Sequence, residues 1–338
     1  MRSLLYRIGG FVVLYLIASL GVFLAVKSVP GDPVALRFAK HPSPEQIAAE
    51  RARLGLDRPL PVQYAIWQGR FWTGDWGRSL LTGRAVREDV ARFLPATLEL
   101  SLLALAVGVA AGVGLALVAS ASRRLWARRL ALAAGSLGLT APIFWIGLLA
   151  LVAGARLLGW FPMGGRFDMG LLLPERATGL LTVDALLAGD ATALGVALRH
   201  LALPTLCLSV YPAAQVSATL HARLQEPGAM GLALALRSRG YGSARLWLRH
   251  MARVGSVPTV VIVGTTFGGL LGGAFLTETV FGWPGMGRYL ASAILERDLY
   301  AAQNGLLLAI SLALAAAAAS DGLARRLDVP AREGRGNG

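Results

Sequence analysis

Six apolar runs, at about residues 8–26, 94–119, 130–158, 201–222, 256–276 and 302–320, constrain this chain more than any other feature. Each is long enough to cross a hydrocarbon core of roughly 30 Å, which takes about 20 helical residues. Their interiors hold almost no formal charge, as expected where a charge at mid-bilayer costs on the order of 2.5–3.5 kcal/mol. Glu99 and Arg156 stand near the ends of their runs, where a long side chain reaches the interface cheaply. The expectation is an all-α membrane protein with six transmembrane helices.

A formal net charge of +14 raises the question of nucleic acid, and the placement of the charges answers it. Arg2 and Arg7 precede the first run, Arg123, Arg124, Arg128 and Arg129 fill the link between the second and third, and Arg325 and Arg326 follow the sixth. On the alternate links acids dilute the cations: Asp168, Glu175, Asp184 and Asp190 stand among Arg166, Arg176 and Arg199, and Glu278, Glu296 and Asp298 outnumber Arg288 and Arg297. By the positive-inside rule both termini are expected in the cytoplasm. No basic stripe interleaved with aromatics accompanies the charge, so it sets orientation and does not point to nucleic acid. The basic start and first apolar run look like a signal peptide, but the run continues to Val26 and ends in KSVPGDP without a small-residue cleavage pattern. A retained first span is expected.

Catalytic patterns are missing. GVFLAVKS, 21–28, has the first glycine, lysine and serine of a Walker A motif at the right spacing, but Val26 replaces the second glycine and the stretch closes a span. Any ATP must therefore be held by another subunit. His41, His200, His221 and His250 are scattered without metal-ligand spacing and read as polar loop or span-end residues. Cys207, the one cysteine, lies inside a run and forms no internal disulfide. No GxSxG elbow and no intramembrane carboxylate pair is present. The sequence argues against an enzyme and against a cofactor.

Residues 1–93 read as the first span plus a long outer segment, 94–325 as the main transmembrane domain and 326–338 as a cytoplasmic tail, too polar and glycine-rich at REGRGNG to order itself. In the outer segment PEQIAAERARL predicts a surface helix from Pro44, and Tyr64, Trp67, Phe71, Trp72 and Trp76 read as an interfacial aromatic belt. GWFPMGG, 159–165, lies in a second outer connection, 159–200, and reads as a turn.

Between the fourth and fifth runs, 223–255 forms a cytoplasmic loop with the arginine-rich, acid-free stretch RSRGYGSARLWLRHMARVGSVP. Residues 229–239 have helix-forming composition, Gly240 and Gly242 break it, and Ser243 can cap a second helix to Arg253. Leu232, Ala235, Leu236 and Arg239 share a face of the first helix. That amphipathic element suits either anionic headgroups or a protein partner.

The layout resembles the EAA loop of type I ABC importer permeases, and the chain is similar to the first permease subunit of the dipeptide, oligopeptide and nickel importers. The matching strings run nearly end to end: SVPGDPV, LGLDRPLPVQY, GDWGRSLLTGRAV, PATLELS, APIFWIGLLAL, LGWFPMGG, RHLALPTL and ETVFGWPGMGRYLASAILERD. The resemblance implies a heterodimeric pore with a second permease subunit, two cytoplasmic ATPase subunits, and a periplasmic or lipid-anchored solute-binding protein. It makes 229–239 with Gly240 a coupling helix, with Arg237, Arg239 and Arg245 meeting an ATPase groove or lipid phosphate, and His250, Arg253 and Pro258 at the family's spacing. It also makes GWPGMG a turn dipping back toward the pore, set by Glu278, Phe281, Gly282, Pro284, Gly285 and Gly287. Gln215, Ser217, Thr265 and Thr266 are candidates to line the passage, and helix–helix hydrogen bonding explains them equally well. Leu234, Ala235 and Leu236 depart from the family's acidic and small residues before the loop glycine, and Ala317 and Ala324 stand where asparagine and tyrosine are usual. The alternatives are a secondary transporter, which would show coupling-ion carboxylates near the midplane, and a nickel permease, for which the spans lack clustered His, Cys or Met.

Overall fold

The computed structural model describes residues 2–28, 43–168, 170–242, 245–247 and 256–333. Among them the chain is helical but for turns, loops and one isolated bridge, Arg78 to Ala85. In chain order the helices are α1 Arg2–Ser28, α2 Pro44–Leu54, α3 Leu60–Thr73, α4 Val86–Ala121, α5 Leu125–Thr140, α6 Ile143–Ala150 followed by the π-helical Leu151–Leu157, α7 Leu181–Leu187, α8 Ala191–Leu224, α9 Pro227–Ser238, α10 Ser256–Val280, α11 Met286–Leu295 and α12 Leu299–Glu333. Five of them, α1, α4, α8, α10 and α12, are long and apolar enough to cross a membrane, and α5 with the α6 segment makes a sixth if that bent pair is one span.

Local chemistry sets the boundaries. Ser43 caps α2 by accepting from the Gln46 N–H while the Gln46 side chain accepts from the Ser43 N–H, a capping box with Pro44 in the first turn. Glu88 and Asp89 place negative charge at the positive end of α4. Asp190 accepts from the Ala193 N–H to start α8. The run at 130–158, expected as one helix, is two helices at 109°. Pro142 has no N–H to donate and holds Ala141 extended at φ −73°, ψ 133°, so α5 stops there and α6 restarts in a new direction. α12 continues through Glu333, and the rest of REGRGNG, 334–338, lies outside the described residues. The Walker-like stretch is helical to Ser28, which commits its backbone to the helix.

The chain forms two units, 1–95 with 285–311 and 96–284 with 312–338. In the smaller, Val86, Val90, Met286, Tyr289, Leu290, Ala293, Ala301 and Ala302 form the core. Buried Asp298 accepts from the Ser79 hydroxyl at 2.5 Å and the Leu81 N–H, and buried Asp89 from Thr82, Arg84 and Tyr289. The expected aromatic belt is a packed cluster here: Trp67 stacks on Phe23 of α1 and donates to Asn304, Tyr64 bonds Ser19, and Phe71 stacks on Trp76. Of the five aromatics only Trp72 stands well out, at 68% exposure. The rings pack on one another, and the Trp67 and Trp76 indole N–H groups each find an oxygen, at Asn304 and the Phe71 carbonyl.

In the larger unit α8 is the hub, packed against α5, α6, α7, α9 and α10. Small residues allow the approach. A Cβ on Gly108 or Gly112 of α4 would lie 2.6 Å from Pro212 Cβ or 2.5 Å from the Ala213 carbonyl oxygen, and one on Gly264 of α10 would collide with Ser320 of α12. Gly108/Gly112 and Gly264/Gly268 repeat the four-residue spacing by which membrane helices pack backbone to backbone.

Candidate functional site

Within the larger unit two regions stand apart, one at each end of the α4–α8 contact. At the C-terminal ends of these helices lies α9, which starts at Pro227 and closes in a Schellman motif: Tyr241 N–H donates to the Leu236 carbonyl at 3.2 Å and Gly240 N–H to the Arg237 carbonyl at 2.9 Å. Gly240 sits at φ +81°, the left-handed conformation in which a side chain is strained. Ala229, Ala233 and Leu236 are buried against Leu220 and Leu224 of α8, Ala116 of α4, and Leu246 and Trp247. Nearby, His221 is hydrogen-bonded to Ser120 at 2.8 Å, tying α8 to α4.

The packed stripe lies beside the face expected to be presented to headgroups or a partner. Leu236 points inward, but Leu232, Ala235 and Arg239 are exposed, since 229, 233 and 236 follow the i, i+4, i+7 line that meets α8. Outward, α9 presents Met230, Leu232 and the 71%-exposed Leu234, followed by exposed Arg237. Arg245 lies over the Tyr241 ring at 5.2 Å. His250 and Arg253, with most of the expected second helix, lie outside the described residues, and Pro258 is half-buried in the first turn of α10.

The opposite region is polar. Glu99, expected to reach out to the interface, is 7% exposed and fully bonded. One carboxylate oxygen accepts from the Thr182 N–H and hydroxyl at 2.7 and 2.6 Å, and the other from Arg166 Nε and Nη2 at 3.1 and 2.5 Å. Arg166 also donates to the Gly179 carbonyl and lies 5.9 Å from the Trp283 ring centre. A carboxylate so placed cannot reach water, so pairing replaces hydration. Asp184 of α7 accepts from Thr178 N–H and hydroxyl and from Gly179 N–H, closing the same connection. Burial pushes its carboxyl up, but those hydrogen bonds outweigh burial and hold it below the ordinary aspartate range.

The turn after α10 docks on this region. Glu278 and Trp283 are fully buried and Phe281 nearly so. Thr97 donates to Glu278, Trp283 Nε1 donates to the Ala96 carbonyl at 3.0 Å, and Gly282 takes φ +58°. GWFPMGG meets FGWP directly: Gly165 N–H donates to the Phe281 carbonyl at 2.9 Å, and a Cβ on Gly164 would stand 2.7 Å from that oxygen. Gly282 and Pro284 stay exposed, while buried Gly285 and Gly287 belong to the smaller unit, at the start of α11. His200, expected at a span end in polar surroundings, is buried between the Gly165 carbonyl at 3.2 Å and Asp168 at 2.9 Å.

The four pathway candidates do not form one hydrogen-bonded group. Gln215 donates to the Tyr211 hydroxyl at 2.7 Å, Ser217 is buried facing Gly135 of α5, Thr265 is exposed and bonds the carbonyls of its own helix, and Thr266 is buried.

Comparison with known proteins gives the family to which the chain carrying these two regions belongs. The family "Binding-protein-dependent transport system inner membrane component" matches residues 108–330, and its N-terminal companion matches 1–101. The chain is 34% identical over 309 residues to the di/tripeptide transport system permease protein DppB of Pseudomonas aeruginosa, covering 91% of this chain and 92% of the relative. It is 31% identical to the dipeptide transport system permease protein DppB of Alkalihalophilus pseudofirmus, over 86% of this chain and 87% of the relative. It is also 34% identical to the probable D,D-dipeptide transport system permease protein DdpB of Escherichia coli K12, over 86% and 85%. The chain belongs to the family of binding-protein-dependent transport system inner membrane components, as a multi-pass permease of the bacterial inner membrane.

Proposed function

We propose that this chain forms half of the transmembrane pathway of an ATP-driven importer of short peptides. It pairs with a second permease subunit, two cytoplasmic ATPase subunits supply the nucleotide chemistry, and an external solute-binding protein delivers the peptide. The peptide cargo rests on the relatives, whose names specify dipeptide or di/tripeptide transport.

The observation that carries the reading is α9. A short helix with one apolar stripe seated on α4 and α8 and further apolar side chains left outside, Met230 and Leu234 on one flank and Leu232 on the other, is built to be gripped from both sides. A partner ATPase closing on the outer side chains pushes α9 against Leu220 and Leu224, and the packed contact passes the displacement to the ends of α4 and α8. Arg237, Arg239 and Arg245 stand where they meet acidic groove residues or lipid phosphate. On the opposite region the turn anchored by buried Phe281 and Trp283 dips back toward the pore, and Gln215 and Thr265 contribute polar atoms to the passage.

Gly240→Pro tests this. Proline cannot adopt φ +81° and removes the N–H that bonds Arg237, so the Schellman closure opens. The variant should insert in the membrane at wild-type levels and lose peptide uptake. Normal uptake by an inserted Gly240→Pro protein ends the coupling role of α9. In a companion measurement, Leu234→Cys should crosslink to the ATPase subunit in a nucleotide-dependent way.

A further inference from the structure

The smaller unit holds a cavity of about 320 Å³ to which the proposed coupling through α9 assigns no role. Lys27, Arg53, Arg70 and Arg78 line it, and Asp75 is the one carboxylate among the lining residues. Three of these cations give their donors to neutral oxygens. Lys27 Nζ donates to Gln63 Oε1 at 2.6 Å, Arg70 Nη2 to the Arg53 carbonyl at 3.4 Å, and Arg78 Nε and Nη2 to the Gly83 carbonyl at 3.1 and 2.7 Å. Like charges gathered round one concavity repel, and the concavity concentrates their field on whatever anion enters it.

The position of the cavity says which anion. Lys27 is in the last turn of α1, whose apolar stretch Gly9–Ser28 has 20 residues, and about 20 helical residues cross the hydrocarbon. Val12, Ile17 and Leu24 of that stretch are 50%, 64% and 46% exposed, a surface suited to acyl chains. The cavity therefore opens where α1 leaves the hydrocarbon, at headgroup level. Trp67 and Trp76 form part of its wall, and indole rings favour that layer. The planar fork of arginine matches phosphate oxygens, and lysine adds a compact charge.

We propose that this cavity binds the phosphate of an anionic phospholipid headgroup, with Arg70 and Arg78 as its main donors and Lys27 at the membrane edge. The lysine of the Walker-like stretch thus meets phosphate after all, as a headgroup contact at a helix end and not in a nucleotide loop.

The test is a titration of short-chain phosphatidylglycerol into the detergent-solubilised complex containing the full chain, read by native mass spectrometry. Phosphatidylglycerol should bind and phosphatidylcholine should not at matched concentration. Arg70→Gln/Arg78→Gln should weaken binding roughly tenfold or more. Arg87→Gln/Arg92→Gln, outside the cavity, should leave it unchanged. Asp75→Asn removes the opposing charge and should tighten binding roughly two- to threefold, which keeps the proposal testable if the double arginine variant fails to assemble. Equal affinity in the Arg70/Arg78 variant, or no tightening by Asp75→Asn, would overturn the proposal. Displacement of bound lipid by millimolar inorganic phosphate would make this a free-anion site and overturn the lipid assignment.

Discussion

At one end of the larger unit, α9 rests on α4 and α8 through Ala229, Ala233 and Leu236. At the other end, Glu99 binds α4 to α7 and to Arg166 through four hydrogen bonds, and Glu278 binds the turn after α10 to Thr97. Both contacts are buried, but they resist displacement differently. Contacts among alanine and leucine methyls are non-directional, so a helix can shift across them by an ångström and keep most of the burial. A carboxylate with its oxygens bonded has one good geometry, and losing it exposes an uncompensated charge. Under the proposed drive from the α9 end, the apolar seat is expected to travel and the polar clamp to keep its register.

The sharpest way to break that contrast is Arg166→Ala. It leaves Glu99, at 6% side-chain exposure, with only Thr182 to hold it, and breaking one side of such a pair costs about 3–5 kcal/mol. Denaturation in mixed micelles should show that loss. Glu99→Gln with Arg166→Met should recover most of it, because no charge is then left buried. If the single and double variants are equally stable, the clamp does not act as an ion pair.

On the other side of the comparison, Leu236→Ala should cost less, about 2–3 kcal/mol, the lower half of the range for buried leucines since Leu236 sits at 8% exposure beside the surface. Leu234→Ala, two residues earlier and 71% exposed, should change stability by no more than about 0.5 kcal/mol. Uptake should rank the pair the other way relative to stability: Leu234→Ala should lose transport out of proportion to its folding energy. A loss of uptake that tracked stability in both variants would mean that the outer side chains are not gripped by a partner.

The spans and α9 are legible in the sequence because their causes are local. Hydropathy over about 20 residues marks a span, and Gly240 after a short apolar helix marks the one conformation that ends it so. The clamp is not legible, because Glu99 finds Arg166 67 positions away and Thr182 83 positions away, and nothing in PATLELS announces either. A glutamate near the end of an apolar run is as consistent with snorkelling as with burial until its partners are known. The bend at Ala141 and Pro142 had a signal that hydropathy discards, since a window average does not see direction. Gly108/Gly112 and Gly264/Gly268 likewise carry a packing signal in their spacing that apolarity alone passes over.

Asp184 gives the smallest and most conditional effect, and it separates charge from shape within the polar region. Its folded carboxyl titrates below the ordinary aspartate value of about 3.9, since hydrogen bonds from Thr178 and Gly179 outweigh burial. A depressed folded value means that its stabilisation is fully present above the unfolded value and is lost as pH falls through the folded one. Asp184→Asn keeps the shape and one acceptor oxygen but removes the charge, and should cost about 1–2 kcal/mol at neutral pH. As pH falls below about 3.9 the gap between wild type and variant should narrow, and it should close once pH has passed the depressed folded value, where the wild-type carboxyl is neutral as well. The Arg166→Ala deficit and the Leu236→Ala deficit serve as references on either side: the second involves no titrating group and should stay constant over the same range. A gap for Asp184→Asn that stayed equally constant would mean that the charge of this carboxylate contributes nothing and that geometry alone closes the connection at 177–184.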